Sequence, residues 1–379
     1  MFTTPEISIH KSSASRIGEV DFNSLGFGKE VTDHMFVAEY KNGSWDNAQI
    51  LPFGKFPIAP TALAFHYGQT VFEGMKAFRM GDGRISIFRL DKHYQRLNTS
   101  LQRMCMPTIP YKLFADSIAE LVTLDEAWVK NVNGSSLYIR PFVIATEERF
   151  GVHVSDEYKF IVFAGPVGDY YSKPLRVKIE DTYIRAAKGG TGFTKCGGNY
   201  GGAFYPAQQA KLQGFDQVLW TDGTDELNIE ESGTMNIMFV IDGVVITPSL
   251  SDTILDGVTR DSLLKLASDL GYKTEQRKIS ALELKNKFEE GKVQEAFRTG
   301  TAAVTSPISV IHIQGTDYHL PEYADNNFIN KANKLLNDIR LGVQTDKYKW
   351  NTIIDLRKTK NYKNSNGIMR ARSLFQQIF

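Results

Sequence analysis

The chain has 379 residues, 42% hydrophobic and 23% charged, with a formal net charge of +1. That length buries a substantial core and suits one or two domains, and the near-neutral charge provides no field to draw nucleic acid or an anionic membrane. No apolar run approaches the roughly 20 residues that span a bilayer, two cysteines make no disulfide framework, and seven scattered histidines form no metal motif.

The N-terminus, MFTTPEISIHKSSASRIGEV, lacks the apolar core of a secretory signal, so a reducing cytoplasm is the expected compartment. Residues 1–30 are polar, irregular and without a motif. From Met35, MFVAEY and then AQILPF predict strands. FHYGQTVFEGMKAF, residues 65–78, is aromatic and β-forming. Gly81-Asp82-Gly83 predicts a hairpin turn into RISIFRL. Asp91 is the expected N-cap of the helix DKHYQRLNTSLQRM. Tyr94, Leu97, Leu101 and Met104 form its core stripe, and Arg96 lies off it as a solvated side chain. A second helix is expected over about Tyr111–Val129, then strands in SSLYIRPFVIAT and EYKFIVFAGPV.

GPVGDYYSKP, residues 165–174, is the expected linker between an N-terminal domain, 1–164, and a C-terminal domain, 175–350. The second half opens on strand-like LRVKIEDTYIRA. Ala203–Gln213 suits a helix and QVLWTD a buried strand. MNIMFVIDGVVITPS reads as a hairpin turned at Asp242-Gly243. Thr259 or Asp261 starts a helix that Gly271 ends. Ser280 to Glu283 has the pattern of a capping box, and NNFINKANKLLNDIRLG is a late amphipathic helix. The stretch 351–379 is expected to lie outside the core; after Leu356 it holds six basic residues and no acid.

The chemistry concentrates in GGTGFTKCGGNYGG, residues 189–202, where Lys195 stands among seven glycines. Glycine permits tight turns and close approach, so this lysine sits on a shaped loop. A desolvated lysine loses its proton more readily. The neutral amine then attacks aldehydes, which is how lysines carry pyridoxal phosphate. A P-loop is excluded, because Lys195 follows Thr194 and precedes Cys196.

Six segments, in order, resemble the branched-chain aminotransferases, fold-type IV pyridoxal phosphate enzymes: HYGQTVFEG, LYIRPF, GGTGFTKCGGNYG, EESGTMN, ILDGVTR and RTGTAAVTSP. The resemblance implies an α+β or α/β chain of two domains, like D-amino acid aminotransferase, with a smaller N-terminal domain, a larger C-terminal one and the cofactor at their interface. It implies transfer of an amino group between leucine, isoleucine or valine and 2-oxoglutarate. Lys195 would carry pyridoxal phosphate as the internal aldimine and shuttle the proton. Glu231 would pair with the pyridine nitrogen, its neighbour Glu230 being an exposed acid, and Tyr200 would bond the phenolic oxygen. Arg96, Val258, Thr259 and Thr301 would hold the phosphate, with Thr234 beside the ring.

For the substrate, the same resemblance implies Phe72, Gly74, Tyr138 and Tyr200 as apolar walls. It implies Thr301 and Ala302 as donors to the α-carboxylate, and Arg140 with Tyr138 for the distal carboxylate of glutamate. Tyr67 and the Phe150–Val152 loop would face the partner's site, hence a homodimer. No metal, nucleic acid or membrane is expected. Two positions depart from the family pattern: Asp256 replaces proline near the phosphate, and Arg298 replaces glycine before the GTAA turn, where its side chain could crowd the α-carboxylate site. GTAAVTSP has no cysteine pair, so thiol control there is not expected. A D-amino acid aminotransferase and an aminodeoxychorismate lyase share the lysine and glutamate, and an inactive cofactor-binding protein is a remoter alternative.

Overall fold

The computed structural model describes residues 5–132, 134–168 and 173–356. They form two compact units, one made of 5–168 with 340–356, the other of 173–339.

The first unit contains β1 (Ser8–Ile9), β2 (His34–Lys41), β3 (Ser44–Pro52), β4 (Thr70–Phe72), β5 (Met75–Arg79), β6 (Ile85–Phe88), β7 (Ser136–Ala145) and β8 (Tyr158–Val167). Its helices are α1 (Leu63–Tyr67), α2 (Leu90–Arg103) and α3 (Tyr111–Leu124). The main strand order is β1-β3-β2-β8-β7-β5-β6, with β4 also on β7. Only β1 runs parallel to its neighbour. Along β7 every second residue is buried, as the two-residue period of a strand requires. Leu137, Ile139 and Val143 enter the core, which leaves Tyr138, Arg140 and Phe142 on the other face. α3 lies on β2 and β8.

Two local expectations fail for identifiable reasons. Helix α2 begins one residue before Asp91, because Leu90 is buried and Arg89 takes a left-handed φ of 58° to turn the chain. Asp91 is thus a first-turn acid, where it favours the helix dipole. The aromatic run 65–78 is interrupted, its Phe65–Tyr67 part forming the end of α1 and Gly68 closing that helix at φ 69°.

The second unit contains β9 (Leu175–Glu180), β10 (Gln217–Thr221), β11 (Ile229–Ser232), β12 (Met235–Ile241), β13 (Val244–Thr247), β14 (Lys273–Gln276), β15 (Val293–Gly300), β16 (Val304–Ile313) and β17 (Thr316–His319). Its helices are α4 (Gly198–Gly201), α5 (Phe204–Leu212), α6 (Val258–Asp269), α7 (Ala281–Glu289) and α8 (Phe328–Arg340). The order β11-β10-β9-β16-β15-β12-β13-β14 places β9 parallel to both β10 and β16. β12 and β13 turn at Asp242 and Gly243, both at positive φ, as a two-residue hairpin demands. Val177, Leu219, Ile237, Phe239 and Ile311 form the core. Ser280 caps α7 by accepting from the Glu283 N–H, whereas the Glu283 carboxylate pairs with Arg277, so the capping box is half made.

A final strand, β18 (Asn351–Ile354), pairs antiparallel with β6. Part of the stretch expected outside the core is therefore a sheet strand. The first unit also takes in residues 340–356, which return to it from the end of the second. The expected linker starts inside β8, and the basic tail lies outside the described residues. No described helix is long and apolar enough to cross a membrane.

Phe239 is fully buried on an interior strand. Phe239→Ala is expected to cost about 3–5 kcal/mol, seen as a lower urea midpoint for unfolding.

Candidate active site

In the second unit, the segment after β9 carries Lys195. The lysine is half-buried, and its Nζ donates to Tyr200 Oη at 2.8 Å. Tyr200 stands in the single turn α4. The loop is pinned from inside, because the Asn199 amide donates to the Thr191 and Thr194 carbonyls at 2.8 and 2.9 Å. It is pinned from outside by Phe193 N–H on the Asp252 carbonyl at 3.0 Å.

Glu231 lies in β11, 3% exposed. Its Oε1 accepts from Asn236 Nδ2 and from the Leu255 N–H, each at 3.0 Å. Its Oε2 lies 3.0 Å from Arg185 Nε as an ion pair. The same guanidinium donates through Nη2 to the Gly192 carbonyl at 3.0 Å and to the Thr253 carbonyl. Arg185 thereby ties the lysine loop to Glu231. Glu230 is not the exposed acid expected: it is 6% exposed and accepts the Thr253 hydroxyl. Burial is the largest influence on its carboxyl and pushes the pKa up. Thr234 is exposed in the turn between β11 and β12.

Val258 and Thr259 are the first two residues of α6, both buried, and the cap position before them is Gly257. No side chain caps this helix, and a Cβ on Gly257 would sit 1.8 Å from Asn236 Oδ1. Among the described residues no side chain claims the first backbone donors of this helix, the arrangement that binds anions. Asp256 acts on Arg260, which is 2% exposed; burial pushes that guanidinium's pKa down, and Asp256 is the first of the charges opposing it. Thr301 and Ala302 sit in the turn joining β15 and β16, half-buried. Arg298 pairs in register with Ile237, one residue out of step with the Asn236–Thr299 pair. It therefore points to the sheet face opposite Asn236 and Glu231, where Nη2 reaches Met235 Sδ at 2.9 Å.

In the first unit, Tyr138 and Arg140 share one face of β7, and Arg140 Nη2 donates to Tyr138 Oη at 3.2 Å. The guanidinium carbon lies 4.8 Å from the Phe72 ring centre. Gly74 makes room for the tyrosine, since a Cβ there would stand 1.8 Å from Tyr138 Oη. Phe27 packs edge-on against Tyr138 at 5.0 Å, although the N-terminal stretch shows no motif. Tyr67 Oη donates to the Phe150 carbonyl, and Phe150 and Val152 are 81% and 87% exposed.

Arg96 is buried, not solvated. Its Nε donates to Glu73 Oε1 at 2.6 Å and its Nη2 to Oε2 at 2.9 Å. His93 Nδ1 lies 2.8 Å from the same Oε2, and Glu73 is fully buried. Burial alone would raise the Glu73 carboxyl, but Arg96 and then His93 outweigh it and hold it well below the usual carboxylate range. Burial also pushes His93 down, so it stands neutral with its Nδ1 proton toward Glu73. Sequence reasoning missed Glu73 and His93. The available signal was the three-residue spacing of His93 and Arg96 along one helix face.

The profile of the Amino-transferase class IV family matches residues 70–311. The branched-chain-amino-acid transaminase 1 of Bacillus subtilis is 42% identical over 335 residues, covering 87% of this chain and 94% of that protein. A probable branched-chain-amino-acid aminotransferase of Staphylococcus aureus is 41% identical, covering 88% and 94%. Among solved structures, the branched-chain aminotransferase of Thermoproteus uzoniensis with norvaline matches at a TM-score of 0.69 and 25% identity, covering 84% of this chain and 99% of that one. The T.th. branched-chain amino acid aminotransferase complexed with N-(5'-phosphopyridoxyl)-L-glutamate matches at 0.65 and 25%, covering 83% and 97%.

Because the folded Glu73 pKa lies below its ordinary 4.5, its contribution is full above that value and fades as pH falls below it. Glu73→Gln is expected to destabilise the protein at pH 7 by about 3–5 kcal/mol. The variant should then lose less stability than wild type between pH 5 and pH 3, by roughly the same argument; urea unfolding across that range measures both.

Proposed function

The chain belongs to the class IV aminotransferase family, and on that premise we propose that it moves the amino group between branched-chain L-amino acids and 2-oxoglutarate with pyridoxal phosphate as cofactor. The observation that carries this reading is the half-buried Lys195 amine on the Tyr200 hydroxyl, in the same unit as the clamped Glu231 carboxylate. The donor set fits the cofactor: an amine for an aldehyde, a carboxylate for a ring nitrogen, and a helix start that a glycine leaves uncapped for a phosphate.

Pyridoxal phosphate supplies an aldehyde that takes up the amino group and a ring that accepts the electrons left when the Cα–H bond breaks. Lys195 Nζ is assigned both to the covalent attachment and to moving the proton from Cα. Tyr200 Oη orients that amine and donates to the phenolic oxygen. Glu231, with Arg185 and two donors on its carboxylate, would pair with the ring nitrogen, and Thr234 is assigned a place beside the ring. The Val258 and Thr259 N–H groups and the Thr301 hydroxyl take the phosphate, and Arg96 is the guanidinium for that anion, its Nε side already oriented by Glu73.

For the substrate, the Thr301 and Ala302 N–H groups are assigned the α-carboxylate. Phe72, Gly74 and Tyr138, and separately Tyr200, are assigned the aliphatic side chain. Arg140 with Tyr138 is assigned the distal carboxylate of glutamate, a side chain that the T.th. enzyme's complex with N-(5'-phosphopyridoxyl)-L-glutamate also contains. Tyr67, Phe150 and Val152 are assigned to contact with a second copy, which would cover side chains that stand exposed on one chain.

Borohydride is expected to fix the cofactor on the peptide containing Lys195, read by mass spectrometry. Lys195→Ala should lower leucine/2-oxoglutarate turnover by at least about a hundredfold. Cofactor fixed on another peptide, or turnover of D-alanine without leucine, would overturn the assignment.

A further inference from the structure

Glu231 is one of two adjacent buried carboxylates, and Arg185 acts on both. Arg185 Nε stands 3.0 Å from Glu231 Oε2 without the alignment of a hydrogen bond, so its effect there is Coulombic. The Arg185 Nη2 bonds to the Gly192 and Thr253 carbonyls hold the guanidinium in place. Also around Glu231 are the neutral donors Asn236 and Leu255 N–H, the carboxyl of Glu230 on the same strand, and the buried Arg260 of α6, with which Glu231 interacts electrostatically. Glu230 repels a charge on Glu231, and Asp256 offsets the charge of Arg260. Arg185 is a cation in direct contact with Glu231.

We propose that Arg185 is a positioning residue that holds Glu231 as a carboxylate and so places the shared proton on the cofactor's ring nitrogen. The proposal rests on the reading that Glu231 faces that nitrogen. Within such a pair the proton resides on the carboxyl or on the ring. A cation 3.0 Å from the carboxylate stabilises the state in which the carboxyl has given the proton up. The more distant ring nitrogen feels the same cation less, because Coulomb energy falls with distance. Arg185 also couples this charge to the backbone three residues before Lys195, so the attachment point and the proton acceptor share one scaffold.

The test uses holoenzyme loaded with pyridoxal phosphate labelled with 15N in the ring. In wild type the nitrogen resonance should lie at the protonated position. Arg185→Met should move it toward the unprotonated position, changing the proton partition by roughly ten- to a thousandfold, the 1–3 pKa units a neighbouring arginine is worth to a carboxylate, and lower kcat. Arg185→Lys, which keeps the charge, should restore the protonated resonance. If the methionine variant does not fold, Arg185→Gln, which keeps a donor for the Gly192 carbonyl, makes the same comparison against Arg185→Lys. Glu231→Gln separates the two claims. If Glu231→Gln moves the resonance and neutral variants at 185 do not, the role of Arg185 is overturned and the Glu231 reading stands. If Glu231→Gln also leaves it unmoved, both are overturned.

Discussion

The carboxylate of Glu231 lies inside a β-sheet, where an ionised group is tolerated only if donors replace the water it has lost. Each partner comes from a different piece of chain: the donors Asn236 from the paired strand and the Leu255 N–H from the approach to α6, and the ion-pair cation Arg185 from the segment after β9. Satisfying one buried charge therefore fixes three segments against each other. Two of them lead on to residues assigned to the cofactor, since 185 runs on to Lys195 and 255 runs on to the start of α6. The site is dictated by the needs of that carboxylate as much as by the groups that do the work.

The first unit solves a similar problem in another way. Glu73, Arg96 and His93 form a buried group in which the acid and the guanidinium meet through two parallel bonds, and a neutral imidazole takes one remaining lone pair. Such a group contributes little net stability compared with apolar packing, and losing one member is costly. Its value is geometric: the guanidinium cannot rotate. On β7 the Arg140–Tyr138 pair is held more loosely, by one bond and by stacking on Phe72, beneath a glycine that leaves space for the tyrosine hydroxyl.

Much of this was legible in the chain. Strand alternation, Asp242-Gly243 and the cap at Ser280 are local signals, and they read correctly because nothing distant overrides them. The lysine loop pointed to chemistry only in combination, because seven glycines around one lysine also suit a flexible surface loop and it was the other five motifs, in order, that favoured the cofactor reading. Arg96 lies off the apolar stripe, where a lone arginine is more often solvated, yet it is buried, because helical periodicity sorts side chains by apolarity and a buried ion pair presents polar residues to the inside. Glu230 was misread for the same reason, since neighbouring acids on a strand look like a solvated turn until both faces are covered. Arg89 displaced Asp91 as the start of α2 because the burial of Leu90, a tertiary event, outweighs capping preference. Phe27 and β18 gave no signal, because their partners lie far along the chain.

The return of Asn351–Ile354 to the edge of β6 has a consequence for biogenesis. Ser86 bonds a carbonyl 254 positions further on, so the first sheet remains open along Ile85–Phe88 until nearly the whole chain has left the ribosome. The entire second unit is spliced between a strand and its neighbour. Closure of such a non-local sheet is slow, and until it occurs the bare edge is a template for another chain's strand. A nascent molecule of this protein therefore spends its synthesis in a state that holdase chaperones are built to shield.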